Sequence, residues 1–342
     1  MILVTGATGL VGSHLLYQLC QAEKLVCAIK RDRSNINFVK KVFSYYCDDY
    51  SNLFQKIKWI DADILDLPSL EDAFKGITSV YHCAAWISFN PKHKHKMIQN
   101  NVEGTANIIN LCLAHNINKL CHVSSVASFG RAPKNQSINE NTLWSESPLN
   151  SAYSISKYKS ELEVWRGVEE GLNAVIVNPA IILGPGKWEK GSSLIFKQIW
   201  NGMPFYTSGS SGFVDVRDVA KIMIQLMNSS ICAERFILSS ESIPFKTTFD
   251  YIANQLGRKN AHIKIGPFLS SVGWRLAKIF SFFTGKGPVF TKETAIAGSS
   301  ISIYDSEKVS KQLGFKFKKV KKSCEEFSDL FLREIAKPFK EG

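Results

Sequence analysis

Tyr153 and Lys157 stand four residues apart in the stretch Tyr-Ser-Ile-Ser-Lys. On a helix this spacing brings both side chains to one face. A phenol ordinarily titrates near about 10 and a lysine near about 10.4. A fixed ammonium beside the phenol favours phenolate and is expected to lower its pKa toward working pH. The phenol then becomes a usable proton donor or acceptor. Alone, such a pair is most often a surface pair, but a second element lies just upstream. In His122-Val-Ser-Ser-Val-Ala127 an apolar strand ends in Ser124-Ser125. A hydroxyl at the carboxyl end of a strand can hydrogen-bond a substrate carbonyl or alcohol oxygen. The third element opens the chain, where Ile2 to Val4 reads as a buried strand followed by Gly6, Gly9 and Gly12. The order strand, glycine-rich turn, helix is that of a dinucleotide site. Gly6 would allow the tight turn, Gly9 the approach of a pyrophosphate, and Gly12 close packing of the helix on the sheet. The helix N-terminus offers free N–H groups and a positive dipole end to phosphates.

These groups need a frame, and the chain to about residue 180 supplies one by alternating strand and helix patterns. Strands are expected at Leu25–Ile29, Lys58–Ala62, Val80–Ala84, Leu120–Val123 and Ala174–Val177, the last stopped by Pro179. Helices are expected at Leu10–Cys20, after Asp66, at Lys96–His115 and at Ser151–Glu170. Six strands alternating with helices predict an α/β fold with a Rossmann-type doubly wound parallel sheet. After Gly184-Pro-Gly186 the rhythm changes. Leu194–Trp200, Val216–Met227, Phe249–Leu256, Gly273–Phe283 and Ser306–Leu313 read as helices, with short strands at Arg235–Leu238 and Ile301–Tyr304. The expected division is a nucleotide-binding domain over 1–180 and a smaller mixed α/β C-terminal substrate lobe over 181–342. Some chain is expected to return to the first domain around 213–240.

The chain has 342 residues, 45% hydrophobic and 21% charged, an ordinary globular composition. No apolar run approaches the roughly 18 residues of a transmembrane helix. The first strand begins at Met1, which leaves no room for a targeting peptide and predicts a cytoplasmic protein. The eight cysteines are scattered without paired spacing, as expected of reduced core residues. A net charge of +12 suits an anionic ligand or surface, although solvated lysine faces commonly give the same figure.

Together, Thr5-Gly6-Ala-Thr8-Gly9-Leu10-Val11-Gly12, Ser125, Tyr153 and Lys157 resemble the extended short-chain dehydrogenase/reductase family, the NAD-dependent epimerase/dehydratase superfamily. Asp63-Ile64 resembles the pair that contacts adenine. His82-Cys83-Ala84-Ala85 resembles the loop lining the cofactor. Asn101-Val-Glu-Gly-Thr105 resembles the motif whose asparagine supports proton relay. Asn178-Pro179-Ala-Ile-Ile182-Leu-Gly-Pro-Gly186 and Phe213-Val-Asp-Val-Arg-Asp218 resemble further signatures, of which Pro179 and Ile182 would border the cofactor. By register with Phe129-Gly130, Ser125 rather than Ser124 matches the catalytic serine. The likeness runs from Met1 to about Phe315. It implies hydride transfer at a carbon bearing oxygen. Tyr153 would pass the proton and Ser125 orient the oxygen. Lys157 would hold the nicotinamide ribose and keep the tyrosine acidic, while Asn101 fixes a water and local backbone. It also implies a homodimer through Lys96–His115 and Ser151–Glu170.

Cofactor choice is read at the end of the second strand. An acid there would bind the ribose 2′-hydroxyl of NAD. The chain instead has Lys30 and Arg31, and a guanidinium can fork onto a 2′-phosphate. NADP(H) is therefore expected over NAD(H), with Asp32 the residue that could reach the ribose and favour NAD(H). Val126-Ala127 stands where sugar-nucleotide dehydratases carry an acidic pair. Ser210-Ser211-Gly212 stands where epimerases place an arginine, although Lys187, Lys190 or Lys197 could substitute. The pattern is closer to the dihydroflavonol reductase and beta-hydroxysteroid dehydrogenase branch, with apolar alcohols or ketones as small-molecule substrates. The alternatives are an NAD-retaining sugar-nucleotide epimerase and a non-catalytic NADP-binding regulatory protein.

Other features lead elsewhere. Phe268, Leu269, Val272, Leu276, Ile279, Phe280 and Phe283 form an apolar stripe at helical spacing, with Arg275 and Lys278 off it. It reads as a helix packed on its own lobe, with a pocket lid or peripheral contact with an anionic membrane as alternatives. His93-Lys-His95 lacks a neighbouring acid or cysteine and reads as a basic loop, so no metal is expected. The lysine run Lys316 to Lys322 lacks a nucleic-acid motif and reads as a solvated face. Trp86 and Phe89 would face the substrate pocket or fill the core.

Overall fold

The computed structural model describes residues 1–88, 90–130, 136–266, 275 and 291–336. The expected positions Phe89, Phe268, Leu269, Val272, Leu276, Lys278, Ile279, Phe280 and Phe283 lie outside them. Arg275 is described and exposed.

The first half alternates strand and helix: β1 Ile2–Thr5, α1 Leu10–Gln21, β2 Val26–Lys30, α2 Asn37–Ser44, α3 Ser51–Gln55, β3 Ile57–Asp61, α4 Leu67–Phe74 and β4 Ser79–His82. Then come α5 Lys94–Ala114, β5 Lys119–Val123, α6 Ala152–Glu169 and β6 Ala174–Pro179. The second half contributes β7 Ile181–Leu183, α7 Leu194–Trp200, β8 Phe205–Tyr206, β9 Ser210–Asp215, α8 Val216–Met227, β10 Glu234–Leu238, β11 Glu241–Pro244, α9 Phe245–Gln255 and β12 Ile263–Lys264. The chain then gives α10 Lys292–Ser299, α11 Glu307–Leu313 and α12 Val320–Ala336.

Seven strands form the main sheet in the order β10-β6-β5-β4-β1-β2-β3, all parallel. The order reverses between β1 and β4, and ligands of such sheets bind at the carboxyl ends beside the reversal. The strands are continuous apolar runs because both faces are covered. Leu3 joins a layer built with α4, α5 and α6, while Val4 joins one built with α1, α2 and α8. The seventh strand, β10, comes from the second half and pairs with β6 from Glu234↔Val175 to Leu238↔Pro179.

The sixth strand is not stopped before Pro179. It runs through that residue, and after Ala180 the chain continues as β7 in a second sheet, β11-β9-β7. Proline has no N–H to offer; the next N–H, of Ala180, donates to the Leu238 carbonyl at 3.0 Å. Ile301–Tyr304 is not a strand but two isolated bridges, Ser210↔Ile301 and Ile138↔Tyr304. The helix expected at Phe249 begins earlier, at Phe245.

The lysine run leads into α12 and lies on a solvated face as expected, with Lys316, Lys319, Lys321 and Lys322 exposed. Val320, Cys324, Phe327 and Phe331 are buried against Trp188, Phe196 and Ile252. Lys318 pairs with Glu326 at 2.8 Å and Lys319 with Glu241 at 3.5 Å.

Candidate active site

The turn after β1 is built on glycine for physical reasons. Gly6 has φ +63°, and a Cβ there would meet the Cys83–Ala84 backbone at 2.6 Å. This packs the turn against the loop after β4. A Cβ on Gly12 would lie 2.3 Å from the Gly6 carbonyl oxygen, so the close partner of α1 is its own turn rather than the sheet. Gly9 is exposed and caps α1 with no side chain on the free N–H groups; no acid occupies the first turn. Thr8, Leu10 and Val11 are half-buried around this end. An uncapped helix end approached through glycine fits a phosphate-bearing cofactor.

Around it, Thr5 Oγ1 lies 2.7 Å from His82 Nδ1 and accepts from the Ala84 N–H at 3.2 Å. His82 Nε2 lies 3.1 Å from Thr105 Oγ1. Burial pushes His82 down to about 3, so the ring is neutral. Ala85 is exposed. Half-buried Asp63 accepts from the Leu65 N–H at 3.1 Å. Ile64 packs onto Gly104, where a Cβ would meet Ile64 Cδ1 at 2.4 Å. Pro179 is buried at the end of β6 and Ile182 half-buried in β7.

Lys30 does not stand free for a phosphate. Its ammonium is ion-paired with Asp61, the residue beside it on β3. Arg31 and Asp32 are exposed just beyond the strand.

Ser151 caps α6, its Oγ accepting from the Ser154 N–H at 3.0 Å. This sets Tyr153 in the first turn and Lys157 one turn later. The Tyr153 hydroxyl lies by the Ser125 side chain, whose influence favours the phenolate. The expected acidification of the phenol does not hold: burial raises its pKa and only the Ser125 contact opposes this. Lys157, 2% exposed, is pushed down to about 8 by burial, with Glu161 and Cys83 opposing. Its ammonium donates to the Val123 carbonyl at 2.9 Å, at the carboxyl end of β5. Ser125 Oγ also accepts from the Ala127 N–H at 3.1 Å.

Asn101, 2% exposed on α5, spends its amide on Trp86: Oδ1 accepts the Trp86 N–H at 2.7 Å, and Nδ2 donates to the Trp86 carbonyl at 2.9 Å. Nδ2 also reaches Ser156 Oγ at 3.1 Å. The half-buried Trp86 ring lies 5.3 Å from the His93 ring. His93 Nδ1 contacts Ser88 Oγ at 2.9 Å. Among the described residues no cluster of three or more potential metal ligands occurs, and no helix is long and apolar enough to cross a membrane.

Sequence reasoning missed Glu161. This carboxylate, 2% exposed, lies one turn beyond Lys157 on α6. Oε2 accepts from Ser124 at 2.6 Å, Ser128 at 2.8 Å and Asn178 at 2.8 Å. Oε1 pairs with Arg235 of β10 at 3.0 Å. Ser124 is thus buried, its hydroxyl spent on Glu161. The spacing Tyr153, Lys157, Glu161 was the available signal.

A Rossmann-type sheet with a serine, tyrosine and lysine at its carboxyl edge defines a nucleotide-dependent enzyme class, and comparison with known proteins agrees. The profile of the NAD dependent epimerase/dehydratase family matches residues 2–236, and the chain belongs to that family. The chain is 27% identical over 273 residues to sterol demethylase protein B of Methylococcus capsulatus, covering 78% of each chain. It is 25% identical over 253 residues to cinnamoyl-CoA reductase 1 of Petunia hybrida, covering 71% of this chain and 73% of the relative. The solved structure of gox2253 is similar at 27% identity with a TM-score of 0.79, covering 98% of both chains. Homologues of this kind are NAD(P)-dependent oxidoreductases, epimerases and dehydratases.

Proposed function

We propose that the protein is an NADP(H)-dependent oxidoreductase that interconverts a ketone and a secondary alcohol. The observation that carries this reading is Tyr153 beside Ser125, with buried Lys157 one helical turn away. When bound, the nicotinamide supplies or accepts the hydride. In the reducing direction the Ser125 hydroxyl donates to the substrate carbonyl oxygen and orients it. Tyr153 gives its proton to that oxygen as the carbon becomes tetrahedral; in the reverse direction the phenolate takes it back. A phenol kept protonated by burial suits the donor role. Lys157 holds the cofactor ribose, and its positive charge stabilises the phenolate left after transfer. The glycine turn Gly6–Gly12 receives the pyrophosphate, Asp63 and Ile64 border the adenine, and Ala84, Ala85, Pro179 and Ile182 line the cofactor path. Arg31 would meet the 2′-phosphate of a bound NADP(H).

An apolar ketone or alcohol is favoured over a nucleotide sugar. Two of the three candidate diphosphate-binding cations are engaged elsewhere: Lys197 pairs with Glu189 at 2.8 Å, and Lys187 lies over the Phe38 ring. The name of one relative, a sterol demethylase protein, supports an apolar substrate. The test is NADPH oxidation, read at the reduced-nicotinamide absorbance band, with a dihydroflavonol and with a 3-ketosteroid. Tyr153→Phe is expected to lower the rate by about 100-fold or more while retaining NADPH binding. Turnover without net absorbance change on a UDP-sugar would instead favour the epimerase reading.

A further inference from the structure

Behind the Ser125 loop lies a polar cluster that the proposed chemistry does not use. Its centre is the Glu161 carboxylate, which takes three hydrogen bonds on Oε2 and an ion pair on Oε1. Two of the donors, Ser124 and Ser128, flank Ser125 in sequence. The third, the Asn178 amide, also lies 3.2 Å from the Ser125 carbonyl oxygen. Arg235 extends the cluster outward. It donates to the backbone carbonyls of Glu140 at 2.7 Å and Thr142 at 3.2 Å, and stacks over the Phe129 ring at 4.2 Å. One buried ion pair therefore ties β10, the serine loop and the chain leading into α6 to a single point.

A carboxylate this deeply buried is expensive unless its charge is used. Four donors satisfy its lone pairs, and it lies one helical turn from a second buried cation, Lys157. We propose that Glu161 is a positioning residue, whose carboxylate fixes the serine loop and serves as counter-charge to the Lys157 ammonium. This rests on the oxidoreductase reading given above. A hydroxyl can poise Tyr153 only if its backbone is held, and displacement of a reacting group by about 1 Å can cost 100-fold in rate.

The charge effect can be read separately from the packing effect. The titratable groups facing Lys157 are Tyr153 and Glu161 of its own helix, His82 of β4, Cys83 of the following loop and His122 of β5, and burial raises Tyr153 above its usual value. The group facing Glu161 from outside α6 is Arg235. Burial holds His82 at about 3 and His122 well below its usual range, and lifts Cys83 to about 12. None of these three titrates near Lys157. An alkaline limb near pH 8 in NADPH affinity therefore reports the lysine, whose charged form is present below that limb.

The experiment compares the wild-type chain with E161Q, E161Q/R235Q and Y153F. NADPH binding is followed by nicotinamide fluorescence from pH 6 to 10, and turnover by NADPH oxidation with a dihydroflavonol. E161Q keeps an oxygen acceptor but loses the charge. Its alkaline limb is expected to move to lower pH by about one unit, and its kcat to fall by roughly 10- to 100-fold. E161Q also strands the Arg235 guanidinium, so the double variant is expected to recover thermal stability without recovering the limb or kcat. A purely structural role predicts recovery of all three in the double variant and overturns the proposal. So does an E161Q profile that overlays the wild type. Absence of NADPH binding by the wild-type chain, or full activity of Y153F, overturns the oxidoreductase reading and this proposal with it.

Discussion

Lys30 and Asp61 are ion-paired side by side at the carboxyl ends of β2 and β3. The pair engages one of the two cations that the sequence offers there, while Arg31 stands exposed one residue further on. Removing Arg31 is therefore expected to matter more than removing Lys30. Arg31→Gln should weaken NADPH by about 10- to 100-fold, the worth of one charge-assisted fork of about 1.5–3 kcal/mol, and leave NADH nearly unchanged. Lys30→Met should shift both cofactors little and equally. Fluorescence titrations with both nucleotides check this. Equal losses of NADPH and NADH in Arg31→Gln would assign the guanidinium another role.

Gly6 tests how far the cofactor turn depends on backbone geometry. An alanine there would need φ +63° and would drive its methyl into the Cys83–Ala84 backbone. The left-handed conformation alone costs about 1–2 kcal/mol, and the clash adds to it. Gly171 is the control: it too has positive φ, +100°, but a Cβ there meets nothing within 4 Å. Gly6→Ala should lower the melting temperature more than Gly171→Ala and abolish NADPH binding. Calorimetry with and without NADPH reads both, and equal melting shifts would show that the contact with the β4 loop carries no energy.

The legible parts of this molecule are those whose physics is local. Buried parallel strands read as apolar runs, and Leu194–Trp200 and Val216–Met227 end where the pattern ends. The glycine turn is readable because few other residues fit it. Helix α12 was hidden because its apolar positions Val320, Cys324, Phe327 and Phe331 follow a run of lysines. Glu161 was hidden differently. Nothing in Ser160-Glu-Leu-Glu163 says that the first glutamate is buried and the second, Glu163, pairs with Arg166 at 2.9 Å on a more open face. The sign of the Tyr153 shift depends on burial, which the Tyr/Lys spacing does not encode.

Acid should unfold the protein through its histidines. His14 is buried on α1 with Nδ1 2.8 Å from the Leu10 carbonyl, and burial lowers it to about 4; His82 falls to about 3. In the unfolded chain both return to about 6.5. Below that pH the unfolded state binds more protons, so stability is complete above about pH 6.5 and declines as pH falls toward 4. Each histidine accounts for about 3 kcal/mol across that window. Chemical denaturation at pH 7.5, 6 and 5 should show the decline, and His14→Asn, whose amide can keep the bond to Leu10, should flatten it. An unchanged slope in that variant would mean that His14 is protonated in the native state.

Asn101 holds the Trp86 backbone by both ends of its amide, which makes the residue a test of how the wall beside the cofactor turn is placed. Asn101→Ala strands the Trp86 N–H and carbonyl, at about 1–3 kcal/mol for each buried group left unpaired. Asn101→Asp is the sharper variant. One carboxylate oxygen can still accept from the Trp86 N–H, but the other faces the Trp86 carbonyl, replacing a donor with a repelling charge. The 2.9 Å and 3.1 Å bonds to Trp86 and Ser156 are lost together. Asn101→Asp should therefore lose at least as much stability as Asn101→Ala at pH 8 and regain part of it near pH 5, where protonation restores a donor. Melting curves of the two variants at both pH values decide this. A pH-independent difference between them would show that the Trp86 loop had moved away from residue 101.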